Sequence, residues 1–313
     1  MRISAPLIAA VEATLEERTG RPDRILSASP VGGGCISPSA RLNTEKSEPL
    51  FLNWNDDAPP EMFGAEADGL RALAQPGALR VPEVIGFGGE GVRGDPAWLL
   101  LEFIPAGAAG PDYGRQLGEG LARLHHSGED SILSGPTLVP KVGWHRDNYI
   151  GSLPQENGQG EVWAHFWRDR RIAPQLARAR EQGYFLGREG MVLDRLMDRI
   201  EEFLPPDEEE GSALLHGDLW SGNYFPDPSG APVLIDPAVY RGDGEVDLAM
   251  MELFGSFPGG FEAGYDATRT VSTQYRSCRR DLYQLYYLLV HVNLFGRSYL
   301  PGSLAAAKRV LSG

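Results

Sequence analysis

Residues His216-Gly217-Asp218-Leu219-Trp220-Ser221-Gly222-Asn223 read HGDLWSGN. They follow the apolar run Ala213-Leu214-Leu215 and precede a second strand-like run, Val233-Leu234-Ile235, which ends at Asp236. Reversing a chain needs glycine, asparagine or aspartate. It does not need a histidine, an aspartate two positions on and an asparagine five positions after that. An isolated His-x-Asp is most often hydrogen-bonded scaffolding. The joint pattern differs, because each polar group leaves an apolar strand that can hold it rigidly in one cleft.

The 313-residue chain can bury a sizeable core and form two lobes. No apolar run approaches the ~20 residues of a membrane helix. Glutamates interrupt the N-terminal apolar stretch from Glu12 onward, unlike a secretory leader, so a cytoplasmic address without membrane attachment is expected. Leu7, Ile8, Val11 and Leu15 recur at helical spacing behind a candidate cap, Ser4. Two distant cysteines, Cys35 and Cys278, with no CxxC pair, exclude a zinc framework and a disulfide scaffold. A net charge of −14 excludes nucleic-acid binding through a broad basic face. Of the basic residues only Lys46, Lys141 and Lys308 are lysines. Either a salt-rich cytoplasm or genome composition accounts for that bias.

Strand signals flank a Lys46-Ser47-Glu48 turn, a helix runs from near Pro60 to before Pro76, and two more strands follow. The small-residue stretch from Ile104 to Pro111 reads as a hinge. Beyond it, helical patterns cover 113–126, 162–182, 191–203 and 281–295, and 213–239 reads as a hairpin. The expected fold is α+β: a small mixed β/α lobe over 1–103 and a mainly helical lobe over 104–313 with an embedded catalytic hairpin. The acidic run Asp207 to Glu210 reads as a solvated loop.

Phosphoryl transfer needs metal ions against phosphate charge and a carboxylate that orients the acceptor hydroxyl and takes its proton. His216-x-Asp218 followed by four residues and Asn223 has the spacing of a kinase catalytic loop, in which the aspartate is the base and the asparagine a metal ligand. Asp236 stands where a kinase places its second metal-binding carboxylate. Upstream, VGGGCIS (Val31 to Ser37) lies between strand-like segments, where backbone N–H groups can cover phosphates. A triple glycine alone is more often a flexible turn; ahead of a helix carrying Glu66 it gains meaning.

GGGCIS, MFGAEADGLRAL, DNYIGSLPQENG, HGDLWSGN, IDPAVY and DLAMMELFGSF occur in this order, and the resemblance extends to DLYQLYYLLVHVNLFG. Together they resemble the fructosamine (ketosamine) kinase family, within the aminoglycoside-phosphotransferase-like kinases. The resemblance implies a two-lobed protein-kinase-like fold and ATP- and Mg2+-dependent phosphorylation of a sugar hydroxyl on a ketosamine, typically the 3-hydroxyl. The acceptor is then a glycated small amine or a glycated lysine on a protein, and the activity a deglycation repair. Asp218 is the implied base, with Asn223 and Asp236 as metal ligands. Gly32, Gly33 and Gly34, with Cys35 and Ile36, would lie over the nucleotide phosphates, and Leu101, Glu102, Phe103 and Ile104 form the adenine-facing hinge.

Several residues keep two readings. Trp220 either stacks on the sugar or attracts its cationic amine, or else anchors the loop by packing. Asp147, Asn148 and Tyr149 either line the acceptor site or form a capping turn. Glu245 and Asp247 read as groups that hold the large lobe together, and His291 and Asn293 as satisfied core polar residues. Cys35 is either inert or a redox-sensitive thiol able to link two chains, and both monomer and homodimer stay open.

One departure stands out. Where the family carries a third-strand lysine that meets the phosphates and the helix glutamate, this chain has Asn53 in LFLNWN, so Glu66 loses its expected partner. Pairing Glu45 with Pro49 across the turn sets Arg41 opposite Asn53, making Arg41 a candidate substitute, although a one-residue slip would turn it away. The alternatives are a kinase for another amino sugar or hydroxylated amine, and a nucleotide-binding pseudokinase.

Overall fold

The computed structural model describes residues 3–32, 37–89, 96–131, 141–160, 162–205 and 212–312. Its contacts define two compact units, Met1–Gly110 with Tyr224–Pro237, and Pro111–Asn223 with Ala238–Gly313. The expected 103/104 division is a single cut, whereas the observed first unit also takes in a later hairpin.

The first unit opens with α1 (Ala5–Thr19), where the Ser4 hydroxyl accepts the Leu7 N–H at 3.3 Å and Gly20 closes the helix at φ 69°. Then come β1 (Ile25–Pro30), β2 (Ser39–Thr44), β3 (Leu50–Asn55), α2 (Met62–Ala74), β4 (Val84–Gly88) and β5 (Ala97–Glu102). The strands form one antiparallel sheet in the order β1-β2-β3-β5-β4. On β3, Leu50, Leu52 and Trp54 are buried and alternate with half-buried Phe51, Asn53 and Asn55. The buried set packs with Leu7, Val11 and Leu15, so α1 covers one face of the sheet. Arg41, Phe51 and Asn53 lie on the other.

The β2–β3 register corrects the sequence reading. Arg41 pairs with Phe51, and Asn53 pairs with Ser39. The cause is Asp23, a buried carboxylate that gathers the connection. It accepts the N–H groups of Lys46 and Ser47 at 2.9 and 3.0 Å and the Ser47 hydroxyl at 2.5 Å. The turn is therefore wider than Lys46–Glu48, and the pairing shifts by two residues. An even shift preserves the face: Arg41 still shares one with Asn53, but its guanidinium lies over the Phe103 ring, 4.9 Å from the centroid.

The second unit begins with α3 (Tyr113–Ser131) and the short strands β6 (Val142–Gly143), β7 (Asn148–Ile150), β8 (Leu153–Gln155) and β9 (Gln159–Gly160). Next, α4 (Trp163–Phe166) runs through a π-helical turn, Trp167–Ile172, into α5 (Ala173–Glu181), followed by α6 (Arg188–Met197) and β10 (Ala213–Leu215). The hairpin β11 (Tyr224–Pro226) and β12 (Pro232–Leu234) belongs to the first unit. The chain then adds β13 (Tyr240–Gly242), α7 (Glu245–Leu253), α8 (Phe261–Asp266), α9 (Arg280–Phe295) and α10 (Leu300–Ser312). The helical stretches expected from periodicity are present, the second in pieces and the third ending earlier in α6. Strands β6 to β9 span two or three residues each, too short for alternation to be legible. Among the described residues no helix is long and apolar enough to cross a membrane.

The hairpin is sewn into the first unit through Arg80. Its carbonyl accepts the Leu234 N–H at 2.9 Å, and its guanidinium reaches Asp227 at 2.6 Å and Glu102 at 2.7 Å. In the second unit α9 is buried almost all round and forms the central helix. Helices α3 and α8 approach closely at Gly118, where a Cβ would stand 2.1 Å from the Phe261 carbonyl oxygen. Replacing Gly118 by alanine forces these helices apart. We expect a loss of about 1–3 kcal/mol in urea-induced unfolding, as in overpacked cores.

Candidate active site

The HGDLWSGN turn leaves β10 and is held by the second unit through a buried carboxylate. Asp247, fully buried in α7, accepts the His216 N–H at 2.8 Å and the Gly217 N–H at 2.9 Å. It also lies 3.1 Å from Nε2 of the fully buried His125, whose Nδ1 is 2.8 Å from the Tyr265 hydroxyl. Burial pushes the His125 pKa down against the pull of Asp247, so the ring is held neutral. Tyr287 of α9 donates to the Gly217 carbonyl at 2.8 Å. Gly217 is obligatory: its φ is 81°, and a Cβ would stand 2.1 Å from the Ala238 carbonyl oxygen.

These bonds leave the half-buried Asp218 at the surface of the turn. Its backbone N–H is 3.2 Å from His216 Nδ1. Asn223 Nδ2 donates to the Asp218 carbonyl at 2.9 Å and to its carboxylate at 3.3 Å. The Asn223 amide thus turns its nitrogen to Asp218. The indole of Trp220 lies against Gly222, where a Cβ would be 2.3 Å from the ring. Trp220 thus packs within the loop.

The first unit carries the other predicted groups. Asp236, just past β12, adopts φ 53°, a left-handed backbone rare for aspartate and concentrated at functional sites. Its side chain reaches solvent, yet the protein packed around it pushes its pKa up to about 6. The same crowding, and next the charge of Asp236, raise Glu66 well above the usual carboxylate range. Asn53 supplies no cation to this pair, and its Oδ1 is buried without a hydrogen-bond partner among the described residues, as is Arg41 Nε. Among the described residues no group of three or more His, Cys, Asp or Glu side chains could hold a metal.

In the hinge, the Glu102 N–H donates to Glu83 O at 2.9 Å and the Phe103 N–H to Pro49 O at 3.2 Å. Both N–H groups are thus taken up within the first unit. Gly32 faces open space. Gly33, Gly34, Cys35 and Ile36 lie outside the described residues, as does the Asp207–Glu210 run.

Of the proposed acceptor residues, Asp147 is exposed and caps the Asn157 N–H at 2.8 Å, while Tyr149 is half-buried. Asn148 is buried, and its amide bonds inward to Val239, Gln155 and Asn157. Asn293 is satisfied by Gln175. His291 is likewise satisfied, its Nδ1 2.8 Å from the Tyr287 carbonyl oxygen, and it is half-buried rather than core, among the rings of Phe254, Phe295 and Tyr299. Sequence reasoning missed Gln155, Asn157 and Tyr286. The signal for Gln155 was present, since the Gly151-Ser152 turn sets it opposite Asn148.

A five-stranded antiparallel sheet joined to a helix-borne glutamate, with a mainly helical unit presenting His-x-Asp-x4-Asn, defines a small-molecule kinase of protein-kinase-like fold. The model of the fructosamine kinase family matches residues 7–312, and the chain belongs to that family. It is 38% identical to a Synechocystis protein named as a probable ketoamine kinase, covering 95% of this chain and 94% of the relative. It is 33% identical to the chloroplastic protein-ribulosamine 3-kinase of Arabidopsis thaliana, over 91% and 83%. A Thermobifida fusca crystal structure, provisionally named fructosamine-3-kinase, superposes with a TM-score of 0.80 at 30% identity over 97% and 99%. The aminoglycoside phosphotransferase APH(4)-Ia shares the fold at a TM-score of 0.56 and 17% identity, over 97% and 99%.

The helix that supplies Asp247 starts at a second buried carboxylate, Glu245, which accepts the Ser272 N–H at 2.7 Å. Burial first, then Asp243, push its pKa up to about 7 from 4.5. A folded carboxyl that holds its proton more tightly than the unfolded one favours folding at low pH. That benefit is lost as pH rises from about 4.5 to 7, and the cost is complete above 7, up to about 3 kcal/mol. Glu245→Gln keeps the acceptor without the charge. Calorimetry is expected to give it a higher Tm than the parent at pH 8 and the same Tm near pH 4.

Proposed function

We propose that the protein transfers the γ-phosphoryl group of ATP to a sugar hydroxyl of a ketosamine, the 3-hydroxyl, in a magnesium-dependent step of deglycation. The observation that carries this reading is the Asp218–Asn223 turn, in which Asp247 and Tyr287 hold the backbone just before Asp218 and Asn223 bonds its carboxylate at 3.3 Å. In this reading Asp218 accepts the proton of the attacking hydroxyl, and Asn223 fixes its rotamer. Asn223 Oδ1 and the Asp236 carboxylate hold magnesium, which when bound neutralises phosphate charge. The Ile104 N–H meets the base, and the N–H groups of Gly32 to Gly34 cover the phosphates. Trp220, Asp147 and Tyr149 are proposed to border the acceptor, a glycated small amine or a glycated protein lysine. The names of the Synechocystis and Arabidopsis relatives support that class. A cytoplasmic address and an exclusion of nucleic acid follow from the charge and the apolar pattern.

Asn53 favours a second reading, nucleotide binding with slow transfer, because a neutral amide stands where the family carries a lysine. Arg41 then acts from the hinge side of the same sheet face. The deciding experiment follows ATP consumption with ribulosamine, fructosamine and aminoglycoside acceptors, using Asp218→Ala as control. We expect magnesium-dependent turnover on a ketosamine that Asp218→Ala abolishes; no turnover on any acceptor favours the binding-only reading. Asn53→Lys is expected to tighten ATP binding roughly tenfold or more, the value of one charge-assisted hydrogen bond. Arg41→Ala is expected to weaken it, and unchanged nucleotide affinity and turnover in that variant assign Arg41 to packing on Phe103 alone.

A further inference from the structure

Within the second unit, buried amides run from the β7–β8 hairpin to the backbone that braces the catalytic turn. Gln155, 2% exposed, uses its whole side chain. Its Nε2 donates to Asn148 Oδ1 at 2.8 Å and to the Ala238 carbonyl at 3.2 Å, and its Oε1 accepts the Tyr286 hydroxyl at 2.6 Å. Asn148 Nδ2 donates to the next carbonyl, Val239, at 2.8 Å. Asn157 donates to Asn148 Oδ1 at 2.9 Å and accepts from the fully buried Arg171 at 2.7 Å.

What these amides grip bears directly on Asp218. The Ala238 N–H donates to the His216 carbonyl at 2.9 Å. The Ala238 carbonyl oxygen is also the atom against which Gly217 packs too closely for a Cβ. A shift of the 238–239 backbone therefore presses on both residues that precede Asp218. Adjacent tyrosines of α9 serve the same turn by two routes, Tyr287 by direct donation to Gly217 and Tyr286 through Gln155.

We infer that Gln155 is a positioning residue for the phosphoryl-transfer step, with Asn148 and Tyr286 as its supports, acting on Asp218 through the Ala238 peptide. The inference rests on Asp218 being the base. It gives Asn148 a role behind the turn rather than against the acceptor. The donor directions are fixed, because each amide nitrogen faces a carbonyl or amide oxygen. Gln155→Glu keeps shape and the acceptor for Tyr286 but sets a carboxylate oxygen against two other acceptors.

The test is steady-state kinetics of the full chain with ATP, magnesium and a ribulosamine acceptor. Gln155→Glu is expected to lower kcat roughly ten- to hundredfold, the scale of a misplacement near 1 Å, with both KM values within about twofold. Tyr286→Phe tests the same bond from the other side without a new charge, and a smaller fall in kcat is expected. An unchanged kcat in folded Tyr286→Phe and Gln155→Glu overturns the inference and leaves the base assignment standing. So does an effect confined to KM. Full turnover by Asp218→Ala overturns the base assignment itself, and this inference with it.

Discussion

The fold of the catalytic turn depends on one buried carboxylate. Asp247 lies in α7, fully out of water, and meets two backbone N–H groups and an imidazole within 3.1 Å. A buried anion is costly unless hydrogen bonds replace its hydration, and bonds from N–H groups to an ionised acceptor are the stronger kind. Here they come from consecutive residues of the turn, so satisfying the carboxylate and shaping the turn are the same event. His125 completes the shell as a neutral ring fixed by Tyr265, adding a hydrogen bond without a second buried charge. Two residues thus divide the support of the turn: Asp247 holds the backbone at His216 and Gly217, and Asn223 bonds the carbonyl and the carboxylate of Asp218.

The first unit presents the opposite electrostatic situation. Burial raises the proton affinity of both Glu66 and Asp236, the charge of Asp236 adds to the rise at Glu66, and Asn53 brings no charge. Like-charged neighbours in crowded surroundings favour whatever cation or proton reaches them. The backbone at Asp236 is left-handed, at φ 53°. Strain of about 1–3 kcal/mol persists only where the surroundings over-determine it, and Arg80 provides such surroundings by gripping the hairpin at both a carbonyl and a carboxylate.

Much of this was legible in the chain. The strand–turn–strand texture around HGDLWSGN, the Ser4 cap and the helical stretches follow from local periodicity and capping chemistry. Arg41 was not legible, because its pairing depends on Asp23 reaching across from another segment to widen the turn. Pro49 looked like the first paired residue only while Lys46–Glu48 was read as a closed turn. The amides behind the catalytic turn failed for a different reason. DNYIGSLPQENG was conspicuous, but polar residues in a short loop read as surface, and only the hairpin register shows that Asn148 and Gln155 are neighbours. Their burial depends on Tyr286 and Arg171, contributed by elements distant in sequence.

The use of amides rather than charges behind the turn has a physical logic of its own. A carboxylate at position 155 would set a buried charge against two acceptors, Asn148 Oδ1 and the Ala238 carbonyl. A neutral amide donates to both and accepts from Tyr286 without bringing a net charge into the cluster. The one cation in the cluster, Arg171, is kept at the far end. Carbonyl oxygens and the Asn157 amide cap its guanidinium, which lies 4.0 Å from the Tyr240 ring centroid and 4.5 Å from that of Phe166. Aromatic faces attract such a cation without forming an ion pair. On the Gln155 side of the turn rigidity is therefore obtained from hydrogen-bond direction, and the charge that anchors the cluster stays two amides removed from the carbonyls it helps to hold.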